Sequence, residues 1–311
     1  MEGGKVNTYE VIIIGGGPAG MTAGLYTTRS RLRTLLIEGA LFGGQITTTD
    51  LIENYPGFPQ GISGDELSRL MEEQAKRFGL ETVSEEAIEV ALEGDMKIVK
   101  TYELTYRCEA LIISTGTEYR KLGVPGEKEF TGKGVSFCST CDGAFFQDRK
   151  IVVVGGGDSA LTEALYLTKF VNELTIIHRR DALRATKIYQ ERATAHPKIK
   201  FLWNSVVQEI KGDQVVKSII VKNVKTGEVK EFEADGAFIF VGISPKTQFL
   251  KGLIQMDEAG YVLTDTNCET SVKGIFAAGD CRKQLLRQIT TAVGDGATAA
   301  FAVEKYLEVK E

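Results

Sequence analysis

The sequence predicts a two-domain α/β protein, and three observations carry that prediction. The chain has 311 residues, and about 150 residues is an ordinary domain. Short all-apolar runs, such as 11–14 and 151–154, alternate with helical stretches, a pattern that suits strands buried on both faces of a parallel sheet. Glycine accounts for 34 residues and proline for only 6, so the glycines do not serve disorder. They cluster at 15–17, 43–44, 155–157 and 294–296, and clustered glycine in a folded chain brings backbone close to a ligand.

Composition excludes several function classes. Hydrophobic residues make up 43% and charged residues 25%, which rules out a disordered chain, a collagen-like repeat and a disulfide-rich miniprotein. Lys+Arg 37 against Asp+Glu 42 gives a net charge of −5, the wrong sign for a sequence-independent grip on nucleic acid. The longest apolar stretches, such as 237–243, fall far short of the roughly 18 residues that a membrane helix needs. The first ten residues are polar and carry no signal-peptide core. The chain reads as a soluble, cytoplasmic protein.

Taken in order, the first element is the strand 11–14, Val-Ile-Ile-Ile, followed at once by Gly15-Gly16-Gly17-Pro18-Ala19-Gly20 and a helix from Met21 to about Ser30. A second apolar strand, 34–37, ends on Glu38. This is a βαβ unit with the Gly-x-Gly-x-x-Gly fingerprint in its first turn. Gly15 permits the tight turn, Gly17 lets backbone approach a pyrophosphate, and Gly20 lets helix and strand pack closely. Pro18 and Ala19 complete the turn. Glu38 lies 18 residues past Gly20, where an acid accepts from ribose hydroxyls. Next, the stretch 65–78 is amphipathic, with Leu67, Leu70, Met71, Ala75 and Phe78 expected to face inward. The strand 110–113 then ends at Ser114-Thr115-Gly116.

A shift of 140 residues brings the fingerprint unit up again without a gap. Residues 151–154 match 11–14 and Gly155-Gly156-Gly157 match 15–17, with Ala160 in place of Gly20. Thr162, Leu165, Tyr166 and Thr168 repeat Thr22, Leu25, Tyr26 and Thr28. One fingerprint is weak evidence; two, each between a strand and a helix, are strong. They predict two Rossmann-like domains of the three-layer ββα, FAD/NAD(P)-binding kind. Later strands at 237–241 and 274–280 suggest a discontinuous first domain, 1–117 and 247–311, with the second domain, 118–246, inserted into it.

The differences between the copies assign the nucleotides. Glu38 aligns with His178, which Arg179 and Arg180 follow, with Arg184 one helical turn on. An acid favours a free ribose 2′-hydroxyl, and guanidinium groups favour a 2′-phosphate. The first copy therefore reads as the site for the ADP half of FAD, and the second as the site for NADPH, with Gly155, Gly157, Asp158, Ser159, His178, Arg179, Arg180 and Arg184 as its residues. The bland alternative for the arginines is a solvated basic face.

There are five cysteines, and only Cys138 and Cys141 form a close pair, with Asp142 directly after them. Zinc would need two more ligands, yet there is no second pair and the only histidines are His178 and His196; no metal is expected. Beside two nucleotide sites, C-x-x-C reads as a redox disulfide, with inert structural thiols as the alternative. Cys108 reads as core and His196 as structural, and Cys268 and Cys281 are assigned no chemistry.

Two fingerprints, with Cys138-Ser-Thr-Cys141-Asp142-Gly143 before the second and His178-Arg179-Arg180-Asp181 after it, closely resemble the low-molecular-weight thioredoxin reductases over essentially the whole chain. Supporting segments are Gly43-Gly44-Gln45, Glu53-Asn54-Tyr55-Pro56-Gly57, Ala278-Gly279-Asp280, Arg287-Gln288 and Gly294-Asp295-Gly296. The resemblance implies Asp280 as a ribitol ligand and Gln45, Asn54 and Gln288 as flavin-ring neighbours. Gly44, Gly279, Arg287 and Ile289 join the FAD set. It also implies a helix beginning near Gly294 whose positive end faces the flavin, and Asp142 as the acid/base for the thiols, the alternative being a helix-capping Asp. Cys141 is implied as the flavin-proximal sulfur and Cys138 as the one that attacks the partner. The implied activity is transfer of electrons from NADPH through FAD and the Cys138–Cys141 disulfide to thioredoxin. A homodimer is implied, as is rotation of the inserted domain about linkers near Thr117 and Ser244. Competing readings are a different protein disulfide (peroxiredoxin or glutaredoxin-like), a ferredoxin-type donor and a flavoprotein redox sensor.

Overall fold

The computed structural model describes residues 7–309. Residues 1–6 and 310–311 of the expected first domain lie outside them. The chain divides into two compact units, Met1–Glu118 with Ser244–Glu311, and Tyr119–Ile243. The crossings thus fall at 118/119 and 243/244, against the 117/118 and 246/247 of the sequence reading.

The chain opens with β1 (Asn7–Ile14), α1 (Pro18–Arg29), β2 (Thr34–Ile37), α2 (Gly64–Lys76) and β3 (Glu81–Val83). A meander follows, β4 (Ala87–Glu93), β5 (Met96–Thr101) and β6 (Thr105–Ile113), and then β7 (Thr117–Tyr119). The inserted unit carries β8 (Val135–Ser136), the single turn α3 (Ser139–Asp142), β9 (Lys150–Gly155), α4 (Asp158–Leu167), β10 (Glu173–Ile177), α5 (Lys187–Ala195) and β11 (Ile199–Leu202). Its own meander, β12 (Ser205–Gly212), β13 (Val216–Asn223) and β14 (Val229–Glu233), leads into β15 (Gly236–Phe240) and β16 (Ile243–Pro245). The chain finishes with β17 (Ile275–Ala277) and the long α6 (Ile289–Glu308).

Both units solve the same packing problem. In the first, the order is β3-β2-β1-β6-β5-β4, with β17 also paired to β6. Strands β1, β2, β3 and β17 run parallel to their neighbours, while β4 and β5 fold back antiparallel. Successive side chains of a strand point to opposite faces. Val11 and Ile13 therefore meet Ala19 and Ala23 of α1 and Ala299 and Ala300 of α6. Ile12 and Ile14 meet Val90 and Val99 of the meander. The inserted unit repeats the division, its parallel sheet running β11-β10-β9-β15-β8. There Ile151 and Val153 face α4, and Val152 and Val154 face Val207 and Ile219 of the β12–β14 meander. A strand apolar at every position is what two covered faces demand, and each fully buried aliphatic side chain contributes about 1.5–3 kcal/mol.

Several local expectations need correction. The first helix starts at Pro18, not Met21, because proline fits the first helical position, where its missing N–H costs nothing. In α2, Leu67 and Ala75 are buried as expected, but Leu70 is 37% and Phe78 39% exposed; Phe78 lies past the helix end, and the guanidinium groups of Arg29 and Arg77 cover its ring. The last helix begins at Ile289, not near Gly294. Gln288 caps it, its side chain accepting from the Thr291 N–H while the Thr291 hydroxyl accepts from the Gln288 N–H, a reciprocal box that sets the start of a helix. Glycines 294 and 296 instead lie inside it. A Cβ on Gly296 would stand 2.2 Å from the Ala19 carbonyl oxygen, so this glycine lets α6 lie directly on α1. Among the described residues no helix is long and apolar enough to cross a membrane.

Candidate active site

The first fingerprint turn sits where β1 passes into α1. Gly15 holds φ +108°, and a Cβ there would lie 2.3 Å from the Ser114 carbonyl oxygen. Gly20 faces the other side of the turn, where a Cβ would lie 1.9 Å from the Gly15 oxygen. Gly17 caps α1 with no side chain bonded to the free N–H groups of the first turn, which leaves them and the helix dipole for an anion. Glu38, at the end of β2, accepts from the Gly16 N–H at 2.6 Å and the Ala40 N–H at 2.8 Å, and so holds its carboxylate beside the turn.

This turn opens into a cleft of about 950 Å³, at the upper end of small-molecule sites. Gly15, Gly17, Pro18, Ala19, Glu38, Gly44, Gln45, Gly279, Asp280, Gln288 and Ile289 all line it. Three expected residues do not. Gly20 is a packing position, and Asn54 donates to the Gln288 side chain at 2.9 Å. Arg287 lays its guanidinium 4.0 Å from the centre of the Tyr261 ring. Gln45 donates to the Thr117 hydroxyl at 2.9 Å and to the Thr117 carbonyl. Burial pushes the Asp280 carboxyl up to about 6, an effect that Arg287 opposes and Asp295 reinforces.

The lining also contains residues that sequence reasoning missed: Thr47, Ile88, Tyr102, Thr115, Lys246 and Gln248. Only Thr115 had a signal, the Ser-Thr-Gly end of an apolar strand. Its hydroxyl is buried without a hydrogen-bond partner among the described residues. A helix N-terminus free of caps, a turn in which Gly15 and Gly20 admit no side chain, an acid at the ribose position and an orphaned hydroxyl together fit an adenine dinucleotide.

The second turn repeats the geometry. Gly155 has φ +152°, and Gly157 caps α4 without a side-chain bond. A Cβ on Gly156 would lie 2.4 Å from His178 Nδ1, so the imidazole packs directly on the turn. His178 is buried, with its Nε2 3.1 Å from the Ala182 carbonyl. Burial lowers its pKa, the Ala182 carbonyl opposes that shift, and Arg184, Arg179 and Arg180 add to it. Asp158 and Ser159 are exposed at the helix start, as are Arg179, Arg180 and Arg184 beside it. Among the described residues none of these three arginines is in an ion pair. Asp181, the nearest carboxylate in sequence, is occupied by Lys225 at 2.6 Å.

Cys138 and Cys141 are joined in a disulfide, with Cα atoms 5.4 Å apart. Cys138 precedes α3, and its Sγ accepts from the Cys141 N–H at 3.2 Å and lies 3.5 Å from the Thr140 hydroxyl. Cys141 is the more exposed partner. Asp142 ends the turn half-buried, and its carboxylate caps no helix. Cys108, Cys268 and Cys281 are free and buried.

A dinucleotide cleft in one unit, with a second fingerprint turn and a disulfide in the other, defines a nucleotide-dependent disulfide oxidoreductase. The model of the pyridine nucleotide-disulphide oxidoreductase family matches residues 9–296, and the chain belongs to that family, whose members use FAD and NAD(P)H. It is similar to the thioredoxin reductase of Bacillus subtilis (strain 168), 50% identical over 301 residues, 96% of this chain and 95% of the relative. The thioredoxin reductase of Peptoclostridium acidaminophilum is 49% identical over 308 residues, 97% and 98% of the two chains. The crystal structure of Lactococcus lactis thioredoxin reductase superimposes with a TM-score of 0.95 at 49% identity, covering 97% of this chain and 99% of that one.

Proposed function

We propose that this enzyme reduces the disulfide of thioredoxin with electrons from NADPH, passed through FAD and the Cys138–Cys141 pair. The observation that carries the reading is the disulfide in the same unit as a fingerprint turn followed by three arginines that form no ion pair among the described residues. FAD, when bound, supplies the two-electron relay between a hydride donor and a disulfide.

The chain's own residues do the rest. The first turn of α1 and Glu38 hold the ADP half of FAD, while Gln45, Asp280 and Gln288 position the remainder, Gln288 being held in turn by Asn54. Arg179, Arg180 and Arg184 take the 2′-phosphate of NADPH, since guanidinium groups free of carboxylates match a phosphate in charge and geometry. Once the pair is reduced, Cys138 attacks the partner disulfide and Asp142, whose carboxylate caps no helix, moves the proton. By the same family resemblance the protein works in the cytoplasm as a homodimer.

The test is an anaerobic titration of the purified yellow protein with NADPH and, separately, NADH, followed by flavin absorbance, with thioredoxin reduction measured afterwards. Bleaching by NADPH, weak bleaching by NADH and transfer to thioredoxin are expected. Absence of bleaching by either nucleotide would overturn the donor assignment in favour of a ferredoxin-type protein. Bleaching without transfer to thioredoxin would move the partner to another protein disulfide.

A further inference from the structure

We infer that Asp295 is a positioning residue that fixes the turn carrying Asp280, so that this chain's hold on the flavin half of FAD depends on a carboxylate outside the cleft. The inference rests on the reading of that cleft as the FAD site.

The turn follows β17. Gly279 takes φ +76°, and a Cβ there would lie 2.9 Å from the Ala19 side chain, so this stretch of backbone lies hard against α1. Asp280 comes next and lines the cleft. A single left-handed residue ahead of a functional side chain needs an anchor, because a glycine has more backbone freedom to lose than any other residue. The anchor comes from α6. Asp295 accepts the Gly279 N–H on Oδ2 at 3.0 Å and the Arg282 guanidinium on Oδ1 at 2.8 Å. One carboxylate thus holds the turn at 279 and again at 282, on either side of Asp280.

The surroundings mark this as more than a surface ion pair. The Asp295 and Arg282 side chains are only 16% and 15% exposed. The same nitrogen of Arg282 lies 3.2 Å from Cys268 Sγ, while its Nε is buried without a partner among the described residues. A largely desolvated pair with an unmet donor is weak support for stability as such. Geometry is the better reason for it: both oxygens of Asp295 are committed to one turn. Because Asp295 sits two turns into α6, it also ties that turn to the helix whose cap, Gln288, and first residue, Ile289, line the same cleft.

The experiment separates the two halves of the dinucleotide. Full-length protein, wild type and Asp295→Ala, is stripped of flavin and titrated with FAD and with ADP by calorimetry. ADP reports the α1 turn and Glu38, and FAD reports those plus the Asp280 turn. The expected result is a rise of about tenfold or more in the Kd for FAD, the loss of roughly one charge-assisted hydrogen bond, with the Kd for ADP within about twofold of wild type. Asp295→Asn, which keeps an acceptor for Gly279, is expected between the two for FAD. Equal weakening of FAD and ADP would show a merely structural role and overturn the inference, as would an unchanged FAD affinity. A wild-type chain that bound ADP but not FAD would instead overturn the reading of the cleft.

Discussion

Asp158 accepts the backbone N–H of Thr186 at 2.6 Å. Together with the Arg184 N–H bonded to the Gly156 carbonyl at 2.8 Å, this ties the segment after β10, which carries Arg179, Arg180 and Arg184, to the second fingerprint turn. Replacing Arg179 and Arg180 together by alanine is expected to raise the KM for NADPH about tenfold or more, since a hydrogen bond to a charged group contributes about 1.5–3 kcal/mol. The KM for NADH should stay nearly unchanged. Steady-state kinetics with both nucleotides check this, and equal effects on the two would remove the 2′-phosphate assignment.

The disulfide is asymmetric, because the Cys141 N–H points at Cys138 Sγ. A hydrogen bond to a sulfur favours its thiolate, the reactive form. In the reduced protein, iodoacetamide at pH 7 is expected to modify Cys138 in Cys141→Ser about tenfold faster than Cys141 in Cys138→Ser, although Cys141 is the more exposed residue. Mass spectrometry of the modified peptide reads the rates. Faster modification of Cys141 would reverse the assignment of the attacking sulfur.

Burial raises the Asp280 carboxyl from 3.8 to about 6. The folded chain therefore binds this proton more tightly than the unfolded chain does. The corresponding stability is fully present below about pH 4 and is lost as pH rises to about 6, a loss of about 3 kcal/mol in order of magnitude. Flavin-free Asp280→Asn should accordingly be more stable than flavin-free wild type at pH 8, with the difference gone near pH 4. Denaturant unfolding at the two pH values measures it, and identical midpoints at pH 8 would contradict the raised pKa.

Gly20 and Ala160 occupy matching positions in the two fingerprints, yet only the first turn excludes a side chain. With the Gly15 oxygen 1.9 Å from a Cβ on Gly20, Gly20→Ala has to displace the turn. A destabilisation of about 1–3 kcal/mol is expected, together with loss of bound flavin on desalting. Ala160→Gly leaves only a small void and should cost about 1 kcal/mol. Thermal melts and the flavin-to-protein absorbance ratio distinguish the two variants.

Much of this protein was legible from sequence because its signals are local. An all-apolar strand, a glycine turn and the helix after it are set by steric rules that act within about twenty residues, so both fingerprints, the 140-residue repeat and the close cysteine pair stand out in the chain. The acid at 38 and the arginines at 179 and 180 were equally readable, since their place is counted from the turn. Relations set by packing were not. No sequence pattern marks the Thr115 hydroxyl as buried and, among the described residues, unpartnered, or shows that Tyr102, on a turn of the meander, lines the same cleft as Glu38. The family resemblance put a helix start near Gly294, but Gly294 and Gly296 lie inside the helix, because the Gln288 cap starts it earlier and Gly296 serves close contact with α1. The grip of Asp295 on Gly279 joins residues 16 apart through a helix and a turn. Only the folded backbone, once α6 has packed on α1, brings that carboxylate to that N–H.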